Sequence, residues 1–291
     1  MTTHMGTCSW KYDSWQGIVY PPGGESLNHL AEYARHFDTV EVDQWFWSLF
    51  GADKVKLPDA GTVEEYLQSV PSGFQFTVKV PNSITLTHFY THGKSRSAPV
   101  EVNPHFFSVT LFNEFLKRIE PLAEHIGVLM FQFEYLNRMK MPSQVEFLKR
   151  FTEFISACPR NYNYAVETRN PNYLNEPYFE FLNSHNLFHV FVQGYYMPPI
   201  SEVYRNNSGY IRDLAVIRLM GSDRHGIEER AGNKWDAIID PRDKELPDIV
   251  AVIRALEERK VKVYVNVNNH YEGSAPLTIK KIQEMLKEIN K

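Results

Sequence analysis

Cysteine is scarce: Cys8 and Cys158 are the whole complement, and neither stands in a CxxC or beside a cluster of histidines. That leaves no basis for a disulfide framework or a cysteine-based zinc site, and it fits a reducing compartment. Long apolar runs are missing too. None approaches the roughly 18 residues needed to cross a bilayer. The first ten residues, MTTHMGTCSW, lack a basic segment followed by an apolar one, so no signal peptide is read. A cytoplasmic protein with no membrane partner is the expectation. Positive charge is not in excess. The formal net charge is -4, so no global field draws the chain to nucleic acid, and any basic patch would be local. There is no GxGxxG, no GxxxxGK[ST] and no GxSxG, which removes support for a dinucleotide site, a P-loop or a nucleophile elbow. No HxH, HExxH or DxD stands where a strand would end, so no cofactor and no metal are expected. The carboxylates and imidazoles that could approach one another for a metal are Glu41, Asp43, Glu167, His225 and His270.

What is present is a repeated alternation. Eight short runs rich in Val, Ile, Phe and Tyr occupy 3–10, 39–47, 73–81, 126–133, 162–170, 187–194, 214–221 and 261–269. Such runs suit strands buried on both faces. Between most of them lies a segment of helical period. Ser26 is placed to cap a helix whose Leu27, Leu30, Ala31, Ala34 and Phe37 share one face. Pro142 and Ser143 open another, with Val145, Leu148, Phe151, Phe154 and Ile155 on its face. Segments 63–70, 105–119, 176–184, 246–259 and 276–289 read similarly, while 197–213 is rich in Pro and Asn and gives a weak helical signal. Strand–helix alternation implies a parallel sheet. Eight units without a dividing linker predict one α/β domain over 1–291, a TIM-like (β/α)8 barrel with one weak or missing helix after strand 6.

In such a barrel the active site forms on the loops after the strands. Side chains alternate along a strand, so parity separates its two faces. In the second run Glu41 and Asp43 oppose Val40 and Val42. Lys79 takes the polar parity of the third, Glu167 and Arg169 that of the fifth, Arg218 that of the seventh, and Asn266 and Asn268 that of the eighth. Gln132 and Gln193 hold similar late positions in the fourth and sixth. The polar parity is expected to face the lumen and converge at one mouth. Buried ions are costly unless they pair or meet a ligand, so a ring of this kind reads as a site rather than as filling. Lys79, Arg169 and Arg218 suit an anionic group, and Glu41 or Glu167 suits acid–base work. Gln132, Asn266 and Asn268 suit hydroxyl or carbonyl groups. Trp10, with Tyr12, Trp15, Trp45 and Trp47, suits stacking on a ring, and His270 falls at the same rim. Two long loops add basic residues: 82–103 carries His88, His92, Lys94 and Arg96, and 222–245 carries Asp223, Arg224, His225, Arg230, Lys234 and Trp235.

Several short motifs resemble the DUF72 (YecE-like) proteins. Gly6-Thr7-Cys8-Ser9-Trp10 with Trp15 and Gly17, Thr39-Val40-Glu41-Val42-Asp43 through Phe46, and Phe76-Thr77-Val78-Lys79 begin the series. Phe131-Gln132-Phe133, Ala165-Val166-Glu167-Thr168-Arg169, Arg218-Leu219-Met220-Gly221 and Tyr264-Val265-Asn266-Val267-Asn268-Asn269 continue it in order along nearly the whole chain. The chain departs from that pattern at Asp43, where Asn is usual, at Met220, where His is frequent, and at Glu134-Tyr135, where Pro-Pro is usual. The resemblance implies a TIM-barrel-like fold and no established activity. Its likeness to endonuclease IV-type and xylose isomerase-type barrels points to DNA or sugar-phosphate substrates by fold analogy. The expected function is an enzyme, a hydrolase or isomerase acting on an anionic substrate, either a phosphorylated sugar or a nucleic-acid fragment. The alternative is a non-catalytic nucleic-acid-binding protein. No protein partner is indicated.

Overall fold

Eight parallel strands wind into a nearly closed barrel in the computed structural model, which describes residues 3–23, 28–90 and 101–288. The strands are β1 (Thr3–Thr7), β2 (Thr39–Val42), β5 (Gln75–Lys79), β6 (Ile126–Gln132), β7 (Tyr164–Glu167), β8 (Leu187–Gly194), β9 (Leu214–Gly221) and β10 (Lys262–Val267). A short antiparallel hairpin, β3 (Leu49–Gly51) and β4 (Lys54–Val55), sits after β2. The hydrogen-bonded order is β1-β10-β9-β8-β7-β6-β5-β2, and the seam between β1 and β2 closes through one bridge, Cys8 to Glu41.

That seam explains two residues. A Cβ on Gly6 would sit 1.9 Å from the carbonyl oxygen of Thr39, so only glycine allows the two strands to approach. Tyr33, from helix α1 (His29–Tyr33), puts its hydroxyl into the same gap. It accepts from the Thr7 N–H at 2.8 Å and donates to the Thr39 carbonyl at 3.0 Å. A side chain thus satisfies backbone groups that strand pairing leaves open.

Alternation sorts the core as expected. Val40, Val42, Phe76, Val78, Phe131, Val166, Ile217, Val263 and Val265 face the helices in one large cluster. Cys8, Val128, Met130, Ala165, Val190, Val216 and Tyr264 face the lumen. Tyr264 plugs the floor, stacked on His4 with ring centroids 5.0 Å apart. One layer up, Asn266 donates to Thr77 at 2.9 Å. The polar residues that end the strands form the top layer.

The surrounding helices are α2 (Ala60–Ser69), the single turn α3 (Asn82–Thr85), α4 (Val109–Ile119), α5 (Gln144–Ser156), α6 (Glu176–Ser184), α7 (Ile200–Asn207), α8 (Arg224–Ala231), α9 (Leu246–Glu258) and α10 (Ala275–Glu288). Several expectations change. The first helix is capped by Asn28, which accepts from Ala31 N–H at 3.1 Å, while Ser26 and Leu27 lie outside the described residues. In α5 Val145 is exposed, and Phe147 takes the inward place, four residues before Phe151. The helix after the sixth barrel strand is not missing: α7 buries Ile200 and Val203. The 222–245 segment is not all loop, because Asp223 caps α8 through Gly226 N–H at 2.9 Å. His92, Lys94 and Arg96 lie outside the described residues. No described helix is long and apolar enough to cross a membrane.

Candidate active site at the barrel mouth

Arg218 organises the mouth. It is almost fully buried at 2% exposure and reaches across the lumen from β9. Its Nε donates to Glu41 Oε2 at 2.7 Å and its Nη2 to Glu41 Oε1 at 2.6 Å, a two-pronged fork. Its Nη1 donates to Glu167 Oε2 at 2.5 Å and to Gln132 Oε1 at 3.3 Å. The other Glu167 oxygen lies 2.5 Å from Arg169 Nη2. Arg169 in turn stands 4.0 Å over the ring of Tyr195. Beneath, the thiol of Cys8 donates to Glu41 at 3.6 Å. Burial alone would push Glu167 up, but Arg169, Arg218 and Lys79 outweigh it and hold the carboxyl at about 2. Glu167 is therefore a fixed anion, and both Glu41 and Glu167 are spent on Arg218. For Glu167 that is a poor setting for a proton carrier, where the sequence suggested acid–base work.

Asp43 and Lys79 are different. No side-chain hydrogen bond or ion pair joins either one to another described residue. Lys79, 7% exposed, stands 3.9 Å over the Phe46 ring. Burial, then the charge of Arg218, lowers its pKa, against the pull of Glu41, Asp43 and Glu167. Burial, then Glu41, raises Asp43, against Lys79 and Arg218. An acid held up and a base held down, side by side, is the pattern of acid–base sites.

Above them opens a cavity of about 730 Å³, within the range of small-molecule sites. Asp43, Lys79, Gln132, Arg169, Arg218, Asn268 and His270 line it, together with Arg224, which the sequence had placed only in a basic loop. Parity missed several further lining residues: Phe46, Tyr90, Glu134, Tyr135, Tyr195 and Tyr196. They belong to the loops, where alternation carries no information. Tyr195 and Tyr196 follow Gly194 and both take the left-handed conformation, at φ 54° and 62°. Strained backbone of this kind gathers at functional sites. His270 is half committed, with Nε2 2.9 Å from Glu228 Oε1 and the ring edge-on to Trp235.

Five expected residues stand elsewhere. Trp10 is buried and packs edge-on against Tyr66 at 5.0 Å, with Trp45 stacked on the other side at 5.5 Å. Trp15 is wholly buried, so Trp47 is the one of these tryptophans exposed at the mouth. Gln193 has the outward parity of Phe191. It donates to Glu245 at 2.8 Å and accepts the Ile200 N–H at 3.1 Å, capping α7. One side chain thus explains both its own absence from the mouth and the helix the sequence barely signalled. Asn266 lies under the site rather than in it. Among the described residues no three His, Cys, Asp or Glu side chains are grouped to hold a metal ion.

A family model described as "Protein of unknown function DUF72" matches residues 4–291. The UPF0759 protein YecE of Escherichia coli strain K12 is 24% identical over 170 residues, which cover 58% of this chain and 49% of that protein, so the match spans about half the relative's length. The UPF0759 protein YunF of Bacillus subtilis is 23% identical, with 97% of this chain and 94% of that protein covered. Among solved structures, a DUF72 family protein from Enterococcus faecalis superimposes with a TM-score of 0.68 at 19% identity, covering 98% of this chain and 95% of that one. One from Thermotoga maritima gives 0.65 at 23% identity, covering 98% and 99%. At these identities the structural likeness speaks for the fold.

Proposed function

Because the chain belongs to the DUF72 family, whose description assigns no function, the reading of its mouth is our own: we propose an enzyme acting on an anionic substrate of the phosphorylated-sugar or nucleic-acid type. The observation that carries it is the division of labour among the charges at the mouth. Arg218 consumes Glu41 and Glu167, while Asp43 and Lys79 face the same cavity without ion-pair partners. In this reading Asp43 is the general acid or base and Lys79 presents its amine to the reacting centre. Arg169 and Arg224 receive the anionic group. Asn268 and Gln132 orient hydroxyls, and Trp47, Tyr195 and Tyr196 stack on the ring. Whether the reaction is hydrolysis or isomerisation depends on where a substrate's bonds lie against Asp43.

The test is a panel of sugar phosphates and nucleotides screened by thermal shift and by quenching of Trp47 fluorescence. Arg169→Ala should weaken binding of any hit. Asp43→Asn should keep binding while turnover falls by roughly 10²–10⁴-fold, the usual share of acid–base catalysis. If the hits are neutral compounds only, or Asp43→Asn turns over normally, the reading fails.

A second reading, binding of single-stranded nucleic acid without chemistry, is favoured by one observation. The rim rings Trp47, Tyr135 and Tyr196 are 54%, 57% and 92% exposed, as stacking platforms are. It requires affinity that drops steeply with salt.

A further inference from the structure

Lys79 is the least explained charge in the molecule. It ends β5 on the lumen side, is more than nine-tenths buried, and lines the cavity. Other buried or half-buried cations of the mouth have carboxylate partners. Arg218 holds Glu41 and Glu167, Arg169 holds Glu167, and Lys140 holds Glu134. Lys79 has the face of Phe46 and nothing else within hydrogen-bond reach among the described residues. A lysine kept only for its charge would be expected to claim one of the carboxylates nearby, since an unpaired buried ammonium is costly. Arg218 takes Glu41 and Glu167 instead, and the third, Asp43, makes no ion pair with Lys79, which leaves the amine facing the cavity.

We propose that Lys79 is a covalent nucleophile, forming an imine with an aldehyde or ketone substrate that carries an anionic group. This rests on the mouth being the anionic-substrate site argued above, and narrows that substrate to a carbonyl compound. The neutral amine adds its lone pair to the carbonyl carbon as Asp43, in its carboxyl form, gives its proton to the carbonyl oxygen. The Asp43 carboxylate then takes a proton from the nitrogen, giving a neutral carbinolamine. Asp43 returns that proton to the hydroxyl, the C–O bond breaks, and water leaves. The product is a protonated imine, C=N⁺–H, which attracts electrons from the adjacent carbon and eases loss of a proton or cleavage of a bond there. Addition of water by the reverse route frees the amine. No redox partner is needed. A lysine desolvated and set beside another cation is the usual way an amine is kept unprotonated for this chemistry. Burial and Arg218 act on Lys79 in that direction.

The test uses the whole chain, sodium cyanoborohydride, and two probes: glyceraldehyde 3-phosphate and uncharged glyceraldehyde. Reduction fixes an imine as a stable secondary amine, located by peptide mass mapping. The expected result is labelling of Lys79 by the phosphate probe about tenfold faster than the exposed Lys117 and Lys149. Lys79→Arg should abolish the fast phase while leaving slow surface labelling. Fast labelling of Lys79 by both probes alike supports the imine and overturns the anionic reading. Labelling of Lys79 no faster than surface lysines overturns the imine. In that case a thermal shift with the phosphate probe would leave the anionic site standing. Circular dichroism of Lys79→Arg guards against loss of the fold, and labelling rates on the unaltered protein decide the matter even if that variant fails.

Discussion

Arg218 meets Glu41 edge to edge across the barrel lumen, at 2.6 and 2.7 Å, from strands 177 residues apart in sequence. The fork ties β9 to β2, the strand beside the closing seam. With Nη1 on Glu167 it also ties in β7. The mouth is thus held by a buried ion network whose members are a rigid floor for whatever binds above. A network of this kind constrains geometry more surely than it adds stability.

Removing Arg218 should therefore be severe. Arg218→Met leaves Glu41 and Glu167 buried without the cation they share, a loss of about 3–5 kcal/mol in urea unfolding. The triple change Arg218→Met, Glu41→Gln, Glu167→Gln should recover most of that stability. If the triple variant is as weak as the single one, packing and not charge is what Arg218 provides.

Glu167 sets the acid limit. Its carboxyl sits at about 2, below the ordinary 4.5. The stabilisation is complete above the ordinary value and is lost as pH falls from there towards about 2. Its size is on the order of 3 kcal/mol at neutral pH. Urea midpoints measured from pH 7 to pH 3 should fall for the native chain. Glu167→Gln should start lower and fall less steeply, so that the two curves converge in acid. Parallel curves would mean another group carries the acid sensitivity.

The seam offers a sharp test of a single hydroxyl. Tyr33→Phe leaves the Thr7 N–H and the Thr39 carbonyl buried without their partner, a cost of about 1–3 kcal/mol. Gly6→Ala should cost more, because the added methyl meets backbone, which cannot swing aside. Thermal unfolding of both variants gives the order. A Tyr33→Phe variant as stable as the native chain would show that the strands pair without it.

How much of this was legible beforehand follows from where alternation holds. Glu41, Lys79, Glu167 and Arg218 lie on regular strands of a nearly closed barrel, and Asn268 follows β10 directly, so parity placed them inside. Gln193 keeps the rule: it shares the outward parity of Phe191, so its late position in the run pointed to the mouth while its parity pointed away, and the start of α7 takes its oxygen as acceptor. Trp10 follows β1, past the last regular pair, where a bulky apolar ring finds the core before it finds the mouth. Tyr195 and Tyr196 were invisible for another reason. Their placement depends on left-handed backbone after a glycine, which no periodicity encodes. The division between spent and unspent carboxylates was also out of reach, since parity puts Glu41, Glu167 and Asp43 alike on the lumen side and does not say which of them Arg218 takes.

Asp43 should show the tension between stability and use. Burial and the charge of Glu41 raise its pKa above the ordinary 3.8. For a raised carboxyl the favourable contribution is present in acid and is lost as pH climbs through the folded value. At neutral pH the carboxyl is therefore a burden on the fold. Asp43→Asn removes that burden while keeping shape and polarity. The variant should be more stable than the native chain by about 0.5–2 kcal/mol at pH 7, with the gain shrinking towards pH 4. Calorimetry at the two pH values measures it. A group that weakens the fold at working pH yet faces an open cavity is what an acid–base role would demand. If Asp43→Asn is neutral or destabilising at pH 7, Lys79 is satisfying Asp43 more fully than the geometry indicates, and the case for Asp43 as the proton carrier goes with it.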